Sequence, residues 1–464
     1  MVGFVNRVNE LTSLDRWWNL DPGRPGLVWG RRRVGKTALM ARFAQGKRTV
    51  FYTGIGGPAA MELQGLSEEA AFLATPERNL ADHPFGDWRD ALRFLFARAE
   101  EAPLLLILDE FPELLVGNPE LPGLLRAELD RHGGRPKLKI LLSGSSMRAM
   151  WQMQEYRAPL YGRFDLTLQL HPFRPHEVPE ILTDLAPGDR ALVYGVLGGI
   201  PLYLSMWRQD EPVGENLNRL LLSSETPLYN EGKLILATEL GAGRLAGQVL
   251  TAIATGRTRF HEVADAVGTD PTRTIERLTE LRLVERILPV TEDPARHRRK
   301  IYRVSDNFLR FYLGVLARYR SRIESGALQT VLPSILASLD DFMGGAWEDA
   351  FRDHLALRAE QVHPETVDIG PWWRGDGQDE LDAVALAGVR RMPVLVGEAK
   401  WAKRVRAPRI LERMRTKAAN LVDDPGTLRY AIAAREAVED APEGVWTVTA
   451  ASIFSSQAGN DARP

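Results

Sequence analysis

A chain of 464 residues is long for a single core, and 44% hydrophobic against 26% charged residues is a globular composition with material for about three domains. The net charge of −2 creates no overall field for a polyanion, so a nucleic-acid partner has to be held by local basic patches. The absence of cysteine excludes disulfides, thiolate metal sites and cysteine nucleophiles. The charged N-terminus lacks the apolar core of a signal peptide, and no run approaches the ~20 apolar residues of a membrane helix. The expected setting is cytoplasmic, without a membrane partner.

Residues 1–205 alternate short apolar runs with longer helical patterns, as a parallel sheet covered by helices requires. The predicted strands are Gly26 to Trp29, Thr49 to Tyr52, Leu104 to Leu108, Leu138 to Leu142 and Phe164 to Leu170. Residues 206–240 read as a helical lid or connector. In residues 241–324, helices at Leu245 to Ala254 and Phe260 to Val267 precede a third, opened by Asp270 as N-cap with Pro271 in its first turn. Strands at Val284 to Val290 and Lys300 to Val304 complete the order of a winged helix-turn-helix. Residues 325–464 form a last domain with apolar strands at Leu381 to Leu386 and Val394 to Ala399 and a Gly/Asp-rich turn at Gly375 to Asp379.

The sharpest motif is Gly30-Arg31-Arg32-Arg33-Val34-Gly35-Lys36-Thr37, which fits G-x-x-x-x-G-K-[ST] between a strand and the helical run that starts at Ala38. Its glycines let successive N–H groups, from Arg33 through Ala38, face phosphates at the positive end of a helix. Lys36 neutralises the β/γ oxygens of ATP and Thr37 ligates Mg²⁺. The run Leu-Leu-Leu-Ile-Leu ends in Asp109-Glu110, a metal-holding carboxylate followed by one that polarises water. Ser143, at the end of the next strand, either senses the γ-phosphate or simply ends the strand, and Ser145 offers the same choice with less claim.

These residues resemble an AAA+-type ATPase of the archaeal and bacterial signal-transduction branch, called STAND-like. Phe4 to Leu11 resembles that family's adenine-side segment, Tyr161-Gly162-Arg163-Phe164 its arginine-finger segment, and Gly198-Gly199-Ile200-Pro201-Leu202 its GxP motif. The resemblance implies an α/β multidomain protein with sheet order 5-1-4-3-2, followed by an all-α lid and a winged helix. It also implies base contact by Pro201 and a homo-oligomer in which Arg163 acts in trans. Arg163 is equally a surface arginine at a strand start, and the Gly198 to Pro201 stretch equally a helix-ending turn.

The basic run Arg296-His297-Arg298-Arg299-Lys300 lies in the predicted wing, and Arg273 and Arg277 lie on the third helix, so DNA is the expected partner. A packing role for the winged helix is the alternative. In the last domain, Glu398 and Lys400 are two apart on a strand and face Asp382 on the preceding one. With the helical Glu348 they resemble a PD-(D/E)xK nuclease of restriction-endonuclease-like fold. That resemblance implies Mg²⁺ or Mn²⁺ held by Glu348, Asp382 and Glu398, with Lys400 assisting. Leu381 stands where that motif has proline. Trp372, Trp373 and Trp401 flank the set, as packing more than as base-stacking groups. The alternative for the whole chain is a regulatory ATPase switch whose C-terminal domain only recruits partners.

Overall fold

The computed structural model describes residues 4–20, 24–76, 78–132, 137–240, 244–293, 299–375 and 377–455. The chain parts into two compact units, Met1–Pro172 and Phe173–Pro464.

The first unit is built on five parallel strands, β1 (Gly26–Trp29), β2 (Thr49–Thr53), β3 (Leu104–Asp109), β4 (Leu138–Gly144) and β5 (Leu166–Gln169), in the order β5-β1-β4-β3-β2. β3 and β4 are buried along their whole length because both sheet faces are covered. The two-residue period of a strand divides β3 between two cores. Leu104, Leu106 and Leu108 pack with Leu92, Leu95 and Phe96 of the helix Trp88–Glu101. Leu105 and Ile107 join the core formed with Leu14 and Trp17 of Val8–Trp18 and with Leu39, Met40 and Phe43 of Lys36–Ala44. Parallel strands all point their carboxyl ends the same way, so the loop after β1 and the acidic end of β3 open at one edge of the sheet. β5 is shorter than the predicted Phe164 to Leu170 run.

In the second unit the connector contains helices Val213–Leu221 and Pro227–Leu240. Helices Arg244–Ala254, Phe260–Val267 and Thr272–Glu280 follow, then the antiparallel pair β6 (Val284–Ile287) and β7 (Ile301–Val304). β6 stops before Pro289, which has no N–H to donate to a ladder, and Val290 N–H instead donates to Pro371 O at 2.8 Å. The third helix begins one residue later than expected. Asp270 accepts from Thr272 N at 2.9 Å and from Thr272 Oγ1 at 2.6 Å, while Pro271 occupies the N-cap position. Arg296, His297 and Arg298 of the expected wing lie outside the described residues.

The helix Leu328–Leu357 leads into a mixed sheet of β8 (Thr366–Trp373), β9 (Glu380–Ala387), β10 (Met392–Ala399), β12 (Arg429–Ala433) and β14 (Val445–Val448). A small parallel pair, β11 (Arg404–Arg406) with β13 (Ala437–Glu439), stands beside it. β8, β9 and β10 run as an antiparallel meander; β12 then adds parallel to β10, and β14 parallel to β12. The β10-to-β12 crossover carries helix Ala407–Ala418, whose Ile410, Leu411 and Met414 cover one sheet face with Leu381, Val384 and Val396. No helix among the described residues is long and apolar enough to cross a membrane.

Candidate functional site

The loop after β1 is shaped by its glycines. Gly35 has φ +98°, which favours glycine, and a Cβ at Gly30 would lie 2.5 Å from the Leu170 carbonyl oxygen. Arg33 also takes a left-handed φ of 66°. Lys36 opens the following helix with its side chain turned back into the loop, donating to Gly30 O at 3.1 Å and Arg31 O at 3.3 Å. Burial lowers the Lys36 pKa, although Glu110 and Asp109 pull the other way. Val34 is fully buried, whereas Thr37 and Ala38 remain exposed.

Asp109 is buried at the end of β3, where both of its oxygens accept. Thr37 Oγ1 donates to Oδ2 at 2.7 Å, and Ser143 Oγ donates to Oδ1 at 2.7 Å. The loop threonine and the β4 serine therefore orient one carboxylate from opposite sides. Glu110 takes φ 47°, a left-handed conformation uncommon for a non-glycine residue. Its Oε2 accepts from Ser145 N at 3.0 Å and Ser145 Oγ at 2.8 Å, and its Oε1 lies 4.0 Å from Lys36 Nζ. The two serines thus differ in role, Ser143 aligning Asp109 and Ser145 holding Glu110.

Arg7 is a contributor that sequence reasoning missed. Its guanidinium is buried and donates to Val34 O at 3.1 Å and His171 O at 2.8 Å, tying the N-terminal segment to the phosphate loop and to the chain beyond β5. Arg163 pairs within its own unit: Nη2 lies 3.0 Å from Asp130 Oδ2, and Nε donates to Oδ1 at 3.3 Å. In the second unit, Pro201 opens the short helix Pro201–Ser205.

The four C-terminal positions converge. Lys400 Nζ lies 2.8 Å from Glu398 Oε1 and 3.8 Å from Asp382 Oδ2, while Ala399 N donates to Asp382 Oδ2 at 2.7 Å. Arg352 lies 3.9 Å from Glu348 and donates to the Asp382 carbonyl. Burial, and then the Asp382 charge, push Glu348 up to about 7. Burial, and then Glu398, push Asp382 up to about 6. For Lys400, burial works against the charge, but the Glu398 hydrogen bond and the charges of Asp382, Glu398 and Glu348 outweigh it and raise the pKa.

Among the described residues, no three or more of His, Cys, Asp and Glu are grouped as a metal site. Of the expected trio of Glu348, Asp382 and Glu398, Glu398 is met by two ammonium groups, Lys400 on Oε1 and the unforeseen Lys417 at 3.4 Å on Oε2. The tryptophans pack: Trp372 is buried, and Trp401 stacks edge-on with Trp347 and donates to Asp340 at 3.0 Å.

Residues 4–207 match the model of a family of ATPase domains predominantly from Archaea. That stretch of the chain is an ATPase-type domain by its match and its fold. Residues 312–414, which contain Glu348, the strands bearing Asp382 and Glu398, and Lys400 just past the second of them, match a family of archaeal and bacterial proteins of unknown function. An uncharacterised protein of Methanocaldococcus jannaschii is 26% identical over 405 residues, covering 86% of this chain and 87% of that one. An uncharacterised ATP-binding protein of the same organism is 46% identical over 48 residues, 10% of this chain and 81% of its own. The Walker-type ATPase of Pyrococcus abyssi has a similar fold, with TM-score 0.53 at 20% identity over 67% of this chain and 96% of that one. The ATPase-type domain thus has its polar centre at Lys36, Thr37, Asp109, Glu110, Ser143 and Ser145, the first five expected from the motif and strand ends.

Proposed function

We propose that the protein hydrolyses ATP with Mg²⁺ at the phosphate loop and uses the nucleotide cycle to control a DNA-directed, nuclease-like site in its second unit. The observation that carries the ATPase part is Asp109, a buried carboxylate aligned by the Thr37 and Ser143 hydroxyls, with Glu110 directly after it. Gly30, Gly35 and the N–H groups of Arg33, Val34 and Ala38 form the phosphate cradle. Lys36 exchanges the Gly30 and Arg31 carbonyls for phosphate oxygens, Thr37 and Asp109 hold the cation, and Glu110 orients water. When bound, Mg²⁺ supplies positive charge that offsets the negative charge of the reacting phosphates. Arg163 acts in trans after leaving Asp130. Lys36→Ala is expected to lose ATP binding, and Glu110→Gln to keep binding and lose turnover. Normal turnover in both variants would sink the assignment.

The nuclease-like part rests on Glu348, Asp382, Glu398 and Lys400 being brought together by a helix and two adjacent strands. Two carboxylates held above their usual range are short of a cation, which suits Mg²⁺ or Mn²⁺ at Glu348 and Asp382 with Glu398 beside them. The three helices with β6 and β7 act as a winged helix, presenting the exposed Arg273 and Arg277 to DNA phosphates. Full-length protein with an ATP analogue, Mg²⁺ or Mn²⁺ and linear, supercoiled or single-stranded DNA is expected to cut, and Glu398→Ala or Lys400→Ala to stop it.

A second reading is favoured by the two lysines that already neutralise Glu398. In it the C-terminal fold recruits a partner and the chain is an ATP-dependent switch. DNA left intact by the ATP-bound wild type under every metal condition selects that reading.

A further inference from the structure

A cleft of about 760 Å³ lies wholly within the second unit, between helices Pro227–Leu240 and Arg244–Ala254 and the Asn307–Gly314 helix with the turn after it. This volume is of small-molecule size. Among the described residues its lining includes four cationic side chains, Lys233, Arg244, Arg257 and Arg320, and no carboxylate. Tyr229 and Tyr312 form an apolar wall, their rings 5.9 Å apart and inclined at 57°.

Glu324 shows how the donors are arranged. Tyr229 Oη at 3.1 Å, Lys233 Nζ at 3.0 Å and Arg320 Nε at 3.2 Å all donate to its Oε1. Three donors from two separate chain segments meet at one anionic oxygen, which is the geometry that receives an oxygen of a phosphate. The donors hold the Glu324 pKa below its usual value, led by the hydrogen bond from Lys233. One carboxylate faces two of the four cations, leaving Arg244 and Arg257 as further positive charge around the same space.

We propose that this cleft binds a phosphorylated nucleoside, with the phosphate taken by Arg257, Arg320 and Lys233 and the ring system set against Tyr229 and Tyr312. Such a ligand touches the connector helix and the first of the three helices together, so it is an effector that fixes their relative position.

The test uses full-length Lys36→Ala protein, in which the phosphate loop no longer competes, titrated calorimetrically with adenosine 5′-monophosphate, a cyclic dinucleotide and inorganic phosphate. At least one nucleotide is expected to bind, more tightly than phosphate. Arg257→Ala and Arg320→Ala should each weaken it about tenfold. Glu324→Gln should tighten it, because a competing anion is removed, and a purely structural role would not produce that sign. Arg257 is exposed, so its replacement leaves the fold intact for the comparison. No heat with any probe at millimolar concentration overturns the proposal, as does binding indifferent to both arginine variants. Phosphate binding as tightly as a nucleotide removes the ring component and equally overturns it. Displacement of the nucleotide by a short DNA duplex, with the same arginine dependence, reassigns the cleft to a polyanion surface.

Discussion

Asp109 receives hydroxyl donors from two different chain segments, so its alignment can be tested without touching the carboxylate itself. Ser143→Ala is expected to weaken the apparent Mg²⁺ affinity about tenfold while leaving ATP binding in place, read from ATPase rate against Mg²⁺ concentration. An unchanged Mg²⁺ curve removes Ser143 from the site. Asp382 offers a pH signature. Burial and Glu398 raise it from 3.8 to about 6, so the folded state holds this proton more tightly than the unfolded chain. Its contribution to stability is therefore complete below about pH 4, lost as the pH climbs to about 6, and level above that. In EDTA, Asp382→Asn should gain on wild type across that window, by on the order of 3 kcal/mol at the plateau. Melting curves that stay parallel from pH 4 to 8 would contradict it.

At the scale of elements, Asp349 joins three pieces of the second unit. Arg303 on β7, Arg310 on helix Asn307–Gly314 and Arg352 one turn along its own helix all pair with it. Burial alone would raise its pKa, but the three guanidinium groups hold it well below the usual carboxylate range. Arg352 continues to the Asp382 carbonyl, so the hairpin and the strand bearing Asp382 share one charged network. Asp349→Ala leaves three cations without their common partner and is expected to lower stability by about 3 kcal/mol, measured on the unfolding transition of the second unit. A loss under about 0.5 kcal/mol, the range of an ordinary surface substitution, would show that the network is not structural. This network also marks where sequence reading stops. β1 to β4 were legible because each is a short apolar run ended by glycine or polar residues, and Glu398 with Lys400 because two-residue spacing sets them on one face. β8 was hidden by Gly370 and Pro371, which break the expected pattern and coincide with a register shift. Arg7, Arg352 and Lys417 were not legible, since each acts through partners that only the folded chain brings near, as with Arg7 and the His171 carbonyl.

For the whole molecule, the decisive question is whether ATP turnover needs a second copy. Mixing Arg163→Ala with Lys36→Ala protein should restore part of the activity that each lacks, because one copy supplies the intact loop and the other the intact arginine. A mixture as inactive as its components, together with a monomeric ATP-bound form by light scattering, would return Arg163 to a surface role. The paired state of Arg163 has a further consequence. Its bond to Asp130 is partly exposed and worth at most about 1 kcal/mol, roughly a fivefold restraint on release. Dissolved ions weaken such a pair. If Arg163 acts in trans as proposed, moderate salt has two opposed effects, loosening the contact between copies while freeing the side chain that has to make it. Turnover in such a system rises and then falls as ionic strength increases, and Asp130→Asn turns that hump into a simple decline.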